Sequence, residues 1–279
     1  MFIHQIALVC QSKKIKLSEL TKASAALQKQ ATKDLSPIWG VQATVDVFQD
    51  LKDIPLGYWP VIIMDKIDDP NAAGYHSDKN NQPYALVEYS DSWTLTCSHE
   101  ICEMLVDPYG NKMKSGLSPN GKERVHYLVE VCDPCEDSSC AYFINGFLVS
   151  DFYTPDYFDS AANDNTKYSF KGTLKNPRQI LKNGYLSWYS SKDKQWHQAT
   201  FFGSRITTRV LKEMENMEGS LRSRVDRLTH FVDLQKGISN KPLLTLQSSQ
   251  SKITEVAGEE MQDHWEQEIA LLMKPKSLR

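Results

Sequence analysis

Apolar and polar positions along the chain fall into short segments whose period changes from place to place. Residues 2–10 alternate and predict a strand. From Lys16 to Thr32 the apolar positions Leu17, Leu20, Ala23, Ala26 and Leu27 recur at helical spacing, predicting an amphipathic helix. Val41 to Phe48 alternates again, and Trp59 to Met64 is a short continuous apolar run, so both read as strands. Residues 69–74 are a loop rich in turn formers, and Pro83 to Tyr89 is a further strand. Ser92 to Val106 reads as a helix that stops at Asp107, because a proline disfavours helical geometry in the residue before it.

The second half is predicted to be β-rich at first. Val125 to Cys132 alternates, residues 142–153 suggest a hairpin turning at Asn145-Gly146, and Tyr185 to Phe202 offers two strands around Ser190–Asp193. From Ser204 the pattern changes. Ile206, Val210, Met214, Met217, Leu221, Val225, Leu228 and Val232 recur at spacings of 4, 4, 3, 4, 4, 3 and 4. That eleven-residue repeat predicts one apolar stripe along a nearly straight helix, as in a coiled coil. Residues 237–252 read as a polar linker, and 253–273 as a last helix that completes a C-terminal helical hairpin. The expected organisation is an α+β domain over 1–160, a β-rich extension over 161–204 and a helical region over 205–279.

Composition narrows the classes. The chain has 279 residues, 41% hydrophobic and 24% charged, with a formal net charge of -3. This is globular rather than disordered, and it lacks the basic excess of a nucleic-acid-binding surface. No apolar run approaches the ~20 residues of a membrane span, and the first ten residues lack the features of a signal peptide. A cytoplasmic protein with no membrane and no nucleic-acid partner is therefore expected. Cys10, Cys97, Cys102, Cys132, Cys135 and Cys140 are then expected to be free thiols, with a Cys135–Cys140 disulfide as the alternative in an exported protein.

The predicted helix over 92–106 carries the chemistry. It contains Ser98-His99-Glu100-Ile101-Cys102-Glu103, a His-Glu-x-x-Glu pattern that differs by one residue type from the zinc-protease signature His-Glu-x-x-His. His99 and Glu103 share one face of a helix and can grip one ion, while Glu100 beside them is the candidate general base. A catalytic metal needs a further protein ligand. Asp107 lies eight residues past His99, roughly 12 Å along a straight helix, which leaves it a reserve only. Val129-Glu130-Val131-Cys132-Asp133-Pro134 is the better source, with Glu130 preferred, Asp133 second and His126 in reserve. Two carboxylates and one imidazole make a harder site than His-His-Glu. Zn²⁺ is the expected single divalent ion, with Mn²⁺ or Ca²⁺ comparatively better suited than in an ordinary zinc protease. His76, Tyr109, Tyr127 and Tyr153 are weaker candidates for stabilising a developing oxyanion. No Gly-rich phosphate loop and no G-x-S-x-G elbow occurs.

Residues 98–108, the Glu130-x-x-Asp133 pair and Ser150-Asp151-Phe152-Tyr153-Thr154-Pro155 together resemble a group of largely uncharacterised bacterial proteins. Those carry Ser-His-Glu-x-x-Glu-x-x-x-Asp-Pro, a downstream Glu-x-x-Asp and a Ser-Asp/Asn-Phe-x-x-Pro segment. The helix is also similar to that of the zincin metalloprotease superfamily and, more loosely, to plant phosphate-induced proteins. The resemblance covers about residues 80–190. It implies a zincin-like mixed sheet with an active-site helix, a metal-dependent hydrolase and a downstream glutamate as third ligand. It also implies an edge strand just before the helix, here residues 84–89, able to pair with an extended peptide. The leading expectation is thus a metallopeptidase-like hydrolase acting on a peptide or protein. The alternative is a non-catalytic, metal-stabilised scaffold or interaction protein working through its C-terminal helices, which would also be the contact of any homo-oligomer.

Overall fold

A computed structural model describes residues 3–69, 72–159 and 165–233. The fold is mixed α and β, of the α+β kind, with two five-stranded sheets and a small hairpin. The first sheet is built from β1 (His4–Cys10), β2 (Ala43–Phe48), β3 (Trp59–Met64), β4 (Gly74–Lys79) and β5 (Gln82–Glu88), in the order β2-β1-β3-β5-β4. Its strands are parallel except β4, which runs antiparallel to β5 at the edge. The expected edge strand, residues 84–89, is therefore one place inside. The polar segment Gly74–Lys79, not anticipated as a strand, takes the edge, where one ladder and half-burial suit its side chains.

Burial on both faces explains the continuous apolar run of β3. Ile6, Leu8, Val61, Ile63, Ala85 and Val87 face one side, where two helices cover them. These are α1 (Leu17–Lys29) and, with the short α2 (Ser36–Trp39) between them in the chain, the motif helix α3 (Trp93–Val106). Ala7, Val9, Ile62, Tyr84 and Leu86 face the other side, packed with Leu51, Ile54 and Ile67. α1 passes into a π-helical turn over Gln30–Leu35, where Gln30 is buried and donates to the Ser150 carbonyl at 2.8 Å.

The second sheet is antiparallel throughout. It consists of β6 (Met113–Leu117), β7 (Arg124–Leu128), β10 (Tyr185–Ser190), β11 (Gln195–Thr200) and β12 (Thr207–Val210), in the order β12-β11-β10-β7-β6. Its strands come from both sides of the expected boundaries at 160 and 204. Between β7 and β10 lies the hairpin of β8 (Tyr142–Ile144) and β9 (Phe147–Val149), turning at Asn145-Gly146 as the sequence predicted.

The long helix expected from Ile206 does not form at its start. Thr207–Val210 pair with β11, Ile206 is 49% exposed, and Lys212–Asn216 is a 3-10 turn. Free hydrogen bonds along β11 and two β-branched threonines outweigh the helical period there. The helix begins only at Leu221, as α4 (Leu221–Asp233), and packs Leu221, Val225 and Leu228 against Leu128 and Trp196 of the second sheet. The predicted linker over 237–252 and the last helix over 253–273 lie outside the described residues. Among the described residues, no helix is long and apolar enough to cross a membrane. All six cysteines are free, and only Cys10 is not fully buried.

Candidate metal centre

The site lies where α3, the segment after β7 and the start of α4 meet. α3 is buried along most of its length, including Glu100 and Glu103, because it is wedged between the first sheet and the β8–β9 hairpin. The wedge is tight: a Cβ on Gly74 of β4 would lie 2.6 Å from Thr96 Cγ2 and 3.4 Å from Glu100 Cγ. Ser98 joins the helix to the downstream segment by accepting from the Ser150 amide at 2.6 Å.

β7 ends at Leu128, sooner than predicted, and this decides which side chains turn inward. His126 is exposed on the strand, so it is no reserve ligand, while Glu130 and Asp133 are buried at 5% and 2%. Asp107 is engaged elsewhere. Its carboxylate accepts from the amides of Asn111 at 3.1 Å and Lys112 at 2.7 Å, which relieves an acid at a helix C-terminus by closing the loop after α3.

His99 is brought to both partners the sequence offered. Its Nε2 lies 3.2 Å from Glu103 Oε2 and 3.3 Å from Asp133 Oδ1. Both separations match the roughly 3.3 Å edge of a tetrahedron whose metal–ligand bonds are about 2.0–2.1 Å. Glu130 does not reach His99 in this way, so Asp133 takes the nearer position. Half-buried Glu136, which the sequence reading missed, joins His99 and Asp133 as a third group able to offer a ligand atom within 4.8 Å. Glu103, Glu130 and Asp133 form another such set, and His76, Glu100 and Glu103 a third. His76 is 2% exposed on β4, with Nδ1 3.4 Å from Glu100 Oε2 and Nε2 3.2 Å from the Asp107 carbonyl oxygen.

The largest surprise is Arg222, in the first turn of α4. It is the only buried Lys or Arg among the described residues, at 3% exposure. Nη1 donates to both Glu103 Oε2 and Glu130 Oε2, Nη2 to Glu100 Oε2 at 3.4 Å, and Nε to Asp226 at 3.1 Å. Its partners in α3 and after β7 lie 92 to 122 residues away in the chain, so no local pattern announces it.

One guanidinium leaves the site short of positive charge. Burial and the neighbouring Glu103 charge push the Asp133 carboxyl up to about 7. Glu130 is held well above the usual carboxylate range by burial, with Glu103 adding to it against the opposing pull of Arg222. Glu136 is raised by burial and by Asp133. Glu103 goes the other way: burial opposes its charge, but Arg222 and His99 outweigh it and hold it well below its ordinary value. Glu100 is lowered for similar reasons, against burial, by Arg222 and by its contact with His76. His99 is raised despite burial, chiefly by Glu103.

Three buried polar atoms have no hydrogen-bond partner here: Glu130 Oε1, Asp133 Oδ1 and Tyr153 Oη. Leaving such atoms unpaired costs about 1–3 kcal/mol each. Tyr153 Oη is fully buried and feels the Glu130 charge, so its hydroxyl stays protonated as a donor. The other tyrosines are elsewhere engaged or outside: Tyr127 Oη donates to the Leu117 carbonyl at 2.6 Å, and Tyr109 is 44% exposed. Asp151, from the Ser150–Pro155 segment, is fully satisfied by the amides of Phe152 and Lys171 and the Thr173 hydroxyl, so it shapes the turn that carries Tyr153.

These features define a mixed α and β protein with a buried, carboxylate-rich His-Glu-x-x-Glu centre. No protein-family model matches the chain, and no match was found among curated proteins or solved structures.

Proposed function

We propose that the chain is a metal-dependent hydrolase of zincin-like, metallopeptidase-like design. The observation that carries this reading is the set of buried atoms without a hydrogen-bond partner, Glu130 Oε1, Asp133 Oδ1 and Tyr153 Oη, of which Asp133 Oδ1 lies 3.3 Å from His99 Nε2. Three carboxylates, Glu100, Glu103 and Glu130, face one guanidinium and Asp133 faces His99, and a divalent cation would relieve both the orphaned oxygens and the charge deficit. His99, Glu103 and Asp133 would hold the ion, with Glu130 or Glu136 completing its shell. A bound ion would supply a Lewis acid and a more acidic water. Zn²⁺ fits the imidazole and the tetrahedral spacing; the excess of carboxylate oxygens leaves Mn²⁺ or Ca²⁺ as competitors.

The chain's own groups would do the rest. Glu100 is ionised at neutral pH and would accept the proton of the attacking water. His76 and Arg222 hold its Oε2. Tyr153 would donate to the oxygen on which charge develops. Among the described residues β4 is the outermost strand of its sheet, a place where an extended peptide could add a strand, which makes a peptide or protein the preferred substrate class.

A second reading has its own observation. Arg222 sits on the acidic residues with its own positive charge, so the centre could be a structural ion network in a non-catalytic scaffold. Metal content of the gently purified protein, and wild type against Glu100→Gln on a peptide library, separate the two. The hydrolase reading expects about one ion per chain and a 10²- to 10⁴-fold loss of cleavage in the variant with the ion retained. Equal inactivity of both proteins with the ion bound would sink it.

A further inference from the structure

Arg222 has no place in the His-Glu-x-x-Glu scheme, yet it is held at its backbone and along its side chain. The first turn of α4 is docked to the loop after α3: the Arg222 amide donates to the Gly110 carbonyl at 2.9 Å and the Leu221 amide to Asn111 Oδ1 at 3.0 Å. A Cβ on Gly110 would lie 2.9 Å from Arg222 Cβ, so the two backbones touch. One helical turn on, Asp226 takes Nε at 3.1 Å. The side chain is thus held from the backbone end and from the middle, and only its fork projects into the carboxylates.

That fork engages Oε2 of each glutamate, and on Glu103 this is also the oxygen 3.2 Å from His99 Nε2. On Glu103 it takes Oε2, while Oε1 accepts from the Cys132 amide at 3.0 Å. On Glu130 it takes Oε2 and leaves Oε1 as the unpaired atom. On Glu100 it takes Oε2 at 3.4 Å. A planar guanidinium can hold several carboxylates in fixed orientations at once, which an ammonium, as a single point charge, does poorly.

We propose that Arg222 is a positioning residue of the metal centre: it orients Glu103 and Glu130 so that their ligand oxygens face the ion beside His99 and Asp133. This rests on the metal-binding reading above. It makes α4, more than a hundred residues after the motif helix, a working part of the site rather than a distant arm. The ion and the guanidinium would share Glu103 Oε2 and take different oxygens of Glu130, and the positive charge of Arg222 would let the carboxylates converge around a single divalent ion.

Full-length wild type, Arg222→Met, Arg222→Lys and Asp226→Asn, each freed of metal with a chelator, are titrated with Zn²⁺ against a chromogenic competitor and then loaded with Co²⁺ for visible absorption. Loss of an outer partner of a ligand typically costs 10- to 100-fold in metal affinity. Arg222→Met is expected to bind Zn²⁺ about 10- to 100-fold more weakly and to alter the Co²⁺ bands, with Arg222→Lys regaining part of the loss and Asp226→Asn showing a smaller one. A purely structural arginine would lower thermal stability but leave affinity and spectrum unchanged, which overturns the proposal. Tighter binding by Arg222→Met also overturns it, because the guanidinium would then be a competitor of the ion. If Arg222→Met does not fold, wild-type affinity and spectra in both Arg222→Lys and Asp226→Asn overturn it equally. No Zn²⁺ binding by wild type brings down the metal reading itself, and this inference with it.

Discussion

The backbone of Gly184 presses against Asp133: a Cβ at Gly184 would lie 2.6 Å from the Asp133 carbonyl oxygen and 2.7 Å from that of Pro134. Start of β10 and candidate ligand turn therefore share a contact that only a residue without a side chain permits. The Leu181 amide, donating to the Pro134 carbonyl at 2.9 Å, holds the same approach. Gly184→Ala is expected to cost about 1–3 kcal/mol by overpacking against backbone that cannot swing away. It should also displace Asp133 from His99. Chemical denaturation and Zn²⁺ titration of the variant check both effects; a fully wild-type affinity would show that the turn does not set the ligand.

Asp107 closes the loop on which α4 docks. Asp107→Ala removes the acceptor of the Asn111 and Lys112 amides and exposes the last turn of α3 to an unclosed loop. Hydrogen bonds to a charged group contribute about 1.5–3 kcal/mol, so a loss on the order of 2–3 kcal/mol is expected. Hydrogen exchange should report it locally, with faster exchange in the first turn of α4 than in β1 or β3.

In the metal-free protein Asp133 makes stability depend on pH in a definite direction. Its folded value is about 7, pushed up first by burial and then by Glu103, against about 3.9 in an unfolded chain. The folded state therefore holds the extra proton between those values, and stability falls as pH rises from about 4 to about 7, then levels off. Asp133→Asn lacks this dependence. In chelator at pH 8 it should be more stable than wild type by a few kcal/mol, on the order of 1.4 per pH unit spanned, and near equal at pH 4. Denaturation curves at the two pH values that show the opposite order would contradict the account.

Cation binding should itself stabilise the fold. At a free Zn²⁺ concentration of about one hundred times Kd, the gain is about 2.7 kcal/mol. The same addition to His99→Ala should yield almost none, because the remaining carboxylates lack the imidazole edge to Glu103 and Asp133. Thermal melts with and without Zn²⁺ measure this.

Local pattern was enough for several elements. The alternation of β1 and β2, the apolar run of β3, the Asn145-Gly146 turn and the motif helix ending at Asp107 all follow from period and turn chemistry within about ten residues. The pairing of His99 with Glu103 belongs to the same class, since four residues on a helix set it. The strand at Gly74–Lys79 and the start of α4 were not legible in this way. β4 carries Ser77, Asp78 and Lys79 and is a strand because β5 offers it a ladder. Thr207–Val210 continue a helical period and form a strand because β11 has a free edge to pair.

Sequence alone determined that a histidine and two glutamates share one largely apolar helix, and that Glu130 and Asp133 follow close behind it. Only the tertiary structure decided that Asp133 rather than Glu130 meets His99, that His126 faces solvent, and that Arg222 enters the site from α4. The reason is physical: a period of 3.6 or 2 fixes which side chains share a face within one element. The meeting of charges from different elements depends instead on how two sheets and a late helix pack, and their separation along the chain carries no periodic trace.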